Sequence, residues 1–332
     1  MVRTSLLTYL ALGLGSTAVL ANKCGIATGS LQPVTNFGEN PTGLDLQIYV
    51  PKNLAPNPAV ILAVSPTVPY LARHHARIQN KTTDRPPLKL HFCGGTGPIY
   101  SQMSNYNPLA DARRNFVVLY PSTTHDNNCW DVASTKSLTR DAGGDTTSLA
   151  NMVRWAISEY DADPSKVFVT GSSSGCMMSN VMAATYPDLF SAVSCYSGVA
   201  AGCLAGSPGA SPTTADPTCA NGDNRKTGPE WAALLKGMFG KPEGYTEGEY
   251  PKVQTWHGEA DFFVNYPNLA EQLKQWSAIH GVEFSKNETD TPQSGYTKIV
   301  YGDGSKLVGY SARGVGHTVP VHPEADLQWF GI

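Results

Sequence analysis

Net charge is what this sequence has least of. Lys and Arg together number 24 against 27 Asp and Glu, and only 15% of residues are charged. A surface so nearly neutral offers no basic face for nucleic acid and suits a polar or neutral substrate. Past the first twenty-odd residues no apolar run approaches bilayer length, which excludes a membrane-spanning helix there. No internal repeat is present, which argues against a solenoid or propeller. Low complexity is absent as well: Gly (32) and Pro (24) are frequent but dispersed, as in a loop-rich globular enzyme. What remains is 332 residues, 41% of them hydrophobic, enough to bury one large core or two modest ones.

The N-terminus is the exception to the missing apolar runs. Arg3 precedes an apolar stretch over residues 6–20 that closes on Val19-Leu20-Ala21. This pattern predicts a secretory signal peptide over residues 1–21, too short and wrongly flanked for a span, with Asn22 as the mature N-terminus. The expected product is extracellular, with no membrane association and no nucleic-acid partner, and is expected to be a monomer. Seven cysteines (Cys24, Cys93, Cys129, Cys176, Cys195, Cys203 and Cys219) then enter an oxidising compartment, and their odd number leaves at least one outside an intramolecular bridge. Two glycosylation sequons, at Asn80 and Asn287, fit the same route.

Along the chain, residues 44–50 alternate like an antiparallel strand, and 59–64 and 115–120 read as continuous buried strands. Asp145 is expected to cap a helix whose apolar face runs through Leu149, Met152, Val153, Ala156, Ile157 and Tyr160, with Asp163-Pro164 ending it. Strands follow at 166–170, 190–196, 252–256 and 307–310. Alternation of strands and helices predicts an α/β fold with a mostly parallel sheet covered on both faces. Residues 200–250 break the pattern; their Gly, Pro, Ser and Thr content, with one short helix over 229–238, predicts a lid or substrate loop.

The centre of this pattern is Gly171-Ser172-Ser173-Ser174-Gly175 between a strand and a helix. A G-x-S-x-G sequence in that context is a nucleophile elbow, a sharp turn that lifts one hydroxyl above the sheet edge; Ser173 is the candidate nucleophile. A serine nucleophile needs a base, and the base an orienting acid, which in this architecture follow in the order Ser, acid, His. Asp261 lies just after the 252–256 strand and His317 just after the 307–310 strand, both in loops at the edge where Ser173 emerges. His322 is the rival base and Glu259 the rival acid, whereas His257, at a strand end beside Gly258, reads as structural. The oxyanion donors are expected from the amide of Ser174 and from the backbone at Cys93 and Gly94, within the glycine pair after the third strand.

These residues carry a family resemblance. His91-Phe92-Cys93-Gly94-Gly95, Tyr120-Pro121-Ser122, Cys129-Trp130-Asp131-Val132, the elbow with Met177-Met178, Ala183-Ala184-Thr185-Tyr186-Pro187, Tyr196-Ser197-Gly198-Val199, His257-Gly258 with Asp261, and Gly314-Val315-Gly316-His317-Thr318-Val319-Pro320 resemble fungal carbohydrate esterases of family one, over nearly all of the mature chain. That group holds acetylxylan esterases and type B feruloyl esterases. The resemblance implies an α/β-hydrolase fold, the triad Ser173, Asp261 and His317, no metal or cofactor, and acetylated or feruloylated xylan as substrate. It also implies bridges Cys93–Cys129 and Cys203–Cys219, leaving Cys24, Cys176 and Cys195 unassigned. His317-Thr318-Val319-Pro320 and the Met177-Met178 pair resemble the acetylxylan members more, which implies a small acyl pocket.

One segment fits neither pattern nor family. Residues 64–89 are unpatterned and separate the 59–63 strand from the oxyanion loop that it should enter directly. Removing them joins Ala63 to Leu90. The genetic code allows Val64-Ser65 to begin GTGAGT, Thr83-Asp84 to contain CTGAC and Lys89 to end AG, the outline of a donor, branch site and acceptor across whole codons. The expectation is a single catalytic domain over 22–332 interrupted by a retained intron at 64–89, the alternative being a genuine surface insertion.

Overall fold

The computed structural model describes residues 25–65, 96–240 and 250–332. The expected signal peptide, the Asn80 sequon, Cys24, Cys93, Gly94 and most of the 64–89 segment lie outside them. Ten strands form one sheet: β1 (Leu31–Val34), β2 (Asp45–Tyr49), β3 (Ala59–Val64), β4 (Phe116–Ser122), β5 (Val167–Ser172), β6 (Ala192–Tyr196), β7 (Lys252–Gly258), β8 (Phe284–Thr289), β9 (Tyr296–Tyr301) and β10 (Leu307–Ala312), in the spatial order 1-2-4-3-5-6-7-10-9-8. The helices are α1 (Gly97–Met103), α2 (Tyr106–Arg113), α3 (Asp145–Tyr160), α4 (Ser174–Thr185), α5 (Pro217–Ala220), α6 (Gly228–Phe239), α7 (Pro267–His280) and α8 (Pro323–Phe330).

The central strands β4, β3, β5, β6, β7 and β10 pair in parallel. Their apolar residues alternate between two cores. Val60, Leu62, Val167, Val169, Val193 and Val253 face the α3, α4 and α7 side, whereas Ile61, Ala63, Val118, Phe168 and Ala192 face α1, α2 and α8. Burial on both faces is why these strands read as unbroken apolar runs. Both sheet edges are antiparallel: β1 and β2 extend one side of β4, and β9 and β8 extend the other side of β10. The β8–β9 hairpin escaped the sequence reading because β8, Phe-Ser-Lys-Asn-Glu-Thr, is an exposed edge with no apolar face to give it a period. Asn287 lies on that strand, exposed to solvent.

The cap of α3 differs from expectation. Gly144 occupies the N-cap and Asp145 is the first helical residue. The Asp145 carboxylate is nearly inaccessible and accepts the backbone N–H of Asp131 at 3.0 Å. It therefore ties a loop to the helix instead of capping it, and burial raises its pKa.

The bridges also differ in part. Cys203–Cys219 forms as the resemblance implied, and Cys176 pairs with Cys195, a pairing that had been left open. Cys129 is disulfide-bonded; its expected partner, Cys93, lies outside the described residues.

Candidate active site

The elbow is built by close backbone approach. A Cβ on Gly171 would fall 2.4 Å from the carbonyl of Gly175, and a Cβ on Gly175 would fall 2.3 Å from the Val64 carbonyl oxygen of β3. Only glycine fits at either place, so β5 can turn directly into α4 while still packed on β3. Ser173, at the corner, has φ 54° and ψ −121°, a strained conformation for a residue with a side chain. Its N–H donates to the Tyr196 carbonyl at 2.7 Å, which holds the corner to β6.

The three expected side chains meet above this corner. Ser173 Oγ lies 2.7 Å from His317 Nε2, and His317 Nδ1 lies 2.7 Å from Asp261 Oδ2. With the carboxylate accepting from Nδ1–H, Nε2 carries the lone pair that faces the serine hydroxyl. The His317 side chain is 3% exposed and that of Asp261 0%, so these contacts are shielded from water. Asp261 Oδ1 accepts the N–H groups of Phe263 (3.0 Å) and Val264 (2.9 Å), which fixes the carboxylate plane. The loop bearing His317 is pressed close to the end of β7: a Cβ on Gly258 would fall 2.2 Å from the Val315 carbonyl oxygen. Beyond His317, Val319 N–H donates to Ser197 Oγ at 3.0 Å and holds the loop to the end of β6.

The rivals fall elsewhere. Glu259 is exposed and accepts from Ser311 Oγ at 2.6 Å. His322 precedes α8 and stacks on Trp256, with centroids 4.7 Å apart. His257 is fully buried on β7, where burial lowers its pKa and keeps it neutral; its Nε2–H donates to the Val264 carbonyl at 2.7 Å. His257 and the Asp261 carboxylate thus grip the same four-residue turn from its two ends, a role stronger than the structural one read from sequence.

Ser174 opens α4, whose first-turn N–H groups have no acceptor within the helix. Its hydroxyl accepts the N–H of Trp130 at 2.9 Å, and Trp130 Nε1–H donates to the Ser65 carbonyl at 3.2 Å. Cys93 and Gly94, the other expected oxyanion donors, lie outside the described residues. Beside Ser173 is an apolar cavity of about 80 Å³ bounded by Met177, Val199, Leu204, Ala210, Pro212, Ala215, Cys219, Ala220, Phe263 and Val264. Its roof is the part of the 200–250 excursion that Cys203–Cys219 closes. Among the described residues no group of three or more His, Cys, Asp or Glu could hold a metal ion.

On the other face of the sheet, Asp326 of α8 is fully buried below the elbow. It accepts from Ser194 Oγ (2.5 Å), Tyr196 OH (2.6 Å), Gln254 Nε2 (2.8 Å) and Tyr106 OH. Burial raises its pKa to about 6 against these hydrogen bonds. No periodicity marks this carboxylate in the sequence, because a single acid on a short helix looks like a surface residue.

Comparison with known proteins finds relatives over most of the chain. Residues 80–211 match the family described as esterase PHB depolymerase. The chain is 44% identical over 307 residues to feruloyl esterase B of Talaromyces funiculosus, covering 92% of this chain and 78% of that protein. It is also 44% identical over 308 residues to acetylxylan esterase A of Aspergillus awamori, covering 92% of this chain and 90% of the relative. A solved acetyl xylan esterase from Aspergillus awamori superposes with a TM-score of 0.78 at 42% identity, over 91% of this chain and 99% of that one. The chain therefore belongs to the acetylxylan esterase and feruloyl esterase B family of carboxylic ester hydrolases, on an α/β-hydrolase fold.

Proposed function

We propose that this protein is a secreted esterase that removes acetyl groups from xylan through an acyl-enzyme on Ser173. The observation that carries the reading is the unbroken hydrogen-bonded line from Ser173 Oγ through His317 to the buried Asp261. His317 Nε2 takes the Ser173 proton as Oγ attacks the ester carbonyl, and the resulting imidazolium returns it to the leaving sugar hydroxyl. Asp261 holds the tautomer and stabilises the imidazolium. The oxyanion is received by the Ser174 amide and by backbone N–H groups at Cys93 and Gly94, the type of donor worth about 3 kcal/mol each. Water, activated by His317, then releases acetate.

An apolar cavity beside Ser173 is where the acyl group would lie. The choice of acetyl rests on His317-Thr318-Val319-Pro320 and the Met177-Met178 pair, which resemble the acetylxylan members more. Release rates from acetylated xylan and from a methyl hydroxycinnamate, compared at equal enzyme, test this. The expected result is a large excess on acetylated xylan; a large excess on the aromatic ester would make it a feruloyl esterase instead. Asn287, exposed on β8, is the glycosylation site consistent with secretion.

Residues 64–89 are proposed not to belong to the functional protein. Support comes from β3, which pairs with β5 as far as Val64↔Gly171 and aims its end at the elbow. In the spliced chain Leu90 would replace Val64 at that register and lead His91-Phe92-Cys93-Gly94 into the oxyanion site. Sequencing the messenger tests the idea: a transcript encoding 64–89, with full activity from the 332-residue form, would overturn it.

A further inference from the structure

One carboxylate gathers several bonds from the roof of the acyl cavity. Ala210, Pro212 and Ala215 all line the cavity. The segment carrying them is bound to Asp126: Oδ2 accepts the N–H groups of Ala210 and Ser211, each at 2.8 Å, and both carboxylate oxygens lie 2.9 Å from Thr214 Oγ1. Ser211 and Thr214 close a short turn onto each other, so the segment is internally tight and moves with the carboxylate that binds it.

That carboxylate's own backbone is held under strain. Asp126, Asn127 and Asn128 have φ of 42°, 58° and 63°, three successive non-glycine residues in the left-handed region. Such backbone persists only where its surroundings over-determine it. Immediately afterwards come the disulfide-bonded Cys129 and Trp130, whose N–H donates to Ser174 in the elbow. One short path therefore connects the nucleophile's helix to the far wall of the cavity. Burial disfavours the Asp126 charge, but the hydrogen bonds from Ala210, Ser211 and Thr214 outweigh it and hold the pKa below the usual carboxylate value.

We propose that Asp126 is a specificity-determining residue for the acyl group. It acts through its hold on residues 210–215, fixing how far the cavity wall stands from Ser173 and so how long an acyl chain can be accepted. The inference rests on the reading that the acyl group enters this cavity. Asp126 touches no reacting atom; it is a positioning residue, and its removal should alter chain-length selectivity instead of abolishing turnover.

The test compares kcat/KM on 4-nitrophenyl acetate and 4-nitrophenyl butyrate for the wild type, Asp126→Asn, Asp126→Ala and Ala215→Val. Asn keeps one acceptor and Ala none, so the butyrate-to-acetate ratio should rise about threefold in the first and tenfold or more in the second. The change should appear mainly as a lower KM for butyrate, with acetate kcat within a few-fold. Ala215→Val adds bulk to the cavity wall and should lower the ratio. An unchanged ratio in both Asp126 variants, or a parallel loss on both esters, overturns the role of Asp126 while a response to Ala215→Val leaves the cavity reading standing. If Ala215→Val leaves the ratio unchanged, the cavity reading fails and the Asp126 proposal fails with it.

Discussion

The elbow and the excursion over residues 201–227, here the proposed lid, both border the cavity beside Ser173 and are stabilised by different means. Around the elbow, Gly171, Gly175 and Gly258 allow backbone to touch backbone, and Cys176–Cys195 lies fully buried against α4 and β6. Over the lid, residues 201–227 form loops closed by Cys203–Cys219 and tethered by side chains such as Asp126. A region made by core packing has one accessible geometry, because interiors are close-packed and any volume change is felt. A region hung from a few polar contacts can be re-aimed at small cost. The first suits the reacting atoms, which must be placed closely; the second suits substrate choice.

Substitutions in the proposed triad should have the largest effect. Alanine at Ser173 or His317 should lower kcat by about a million-fold, and Asp261→Asn by about ten-thousand-fold through the wrong His317 tautomer. Both are read from steady-state ester hydrolysis. One shell out, His257→Gln should lower kcat about a hundred-fold with KM little changed, since a misplaced Asp261 turn shifts the base by a fraction of an ångström. His322→Ala or Glu259→Gln should change kcat by no more than a few-fold. If either matched the His257 effect, the choice of base or acid would be in doubt.

The bridges sharpen the same contrast. Each closes a short loop, with sequence separations of 19 and 16, for which chain entropy alone gives roughly 3 kcal/mol. Cys176→Ala with Cys195→Ala should nonetheless lower the melting temperature more than Cys203→Ser with Cys219→Ser, because Cys176 and Cys195 are both fully buried whereas Cys203 keeps 6% exposure. The lid pair should instead show itself in acyl selectivity. Differential scanning calorimetry and the two-ester assay separate the effects.

Asp326 adds a smaller dependence on pH. Its folded pKa of about 6 stands above the unfolded carboxylate value of 3.8, so the native state binds its proton more tightly. Its contribution to stability is therefore greatest below about pH 4 and falls as pH rises to about 6, by at most about 3 kcal/mol at 1.36 kcal/mol per pKa unit. Asp326→Asn should flatten this part of the melting-temperature profile between pH 4 and pH 7, whatever it does to overall stability.

The sequence made the elbow region legible and left the lid mostly silent, for the same physical reason. Parallel strands buried on both faces must be apolar throughout, so β3, β4 and β5 are visible as runs, and the glycines of the elbow are forced by contact distances. That Ser173, His317 and Asp261 would meet followed from chain order once the elbow was placed. The β8–β9 hairpin and β1, exposed or short, carry no such imprint. Asp126 and Asp326 were invisible because their importance depends on which distant groups fold against them, separations of 84 residues for Asp126 to Ala210 and 220 for Asp326 to Tyr106. The partner of Cys176 was hidden similarly, since pairing is decided by α4 lying on β6.

The proposal that Ser173, set by the elbow, carries the acyl group is tested most directly by mixing enzyme with an activated acetyl ester, quenching during the burst, and locating the acetyl mass on proteolytic peptides. The expected result is one acetyl group on Ser173, with no burst in Ser173→Ala. An acetyl group found stably on another residue, or a Ser173→Ala protein that keeps most of its esterase rate, would contradict it.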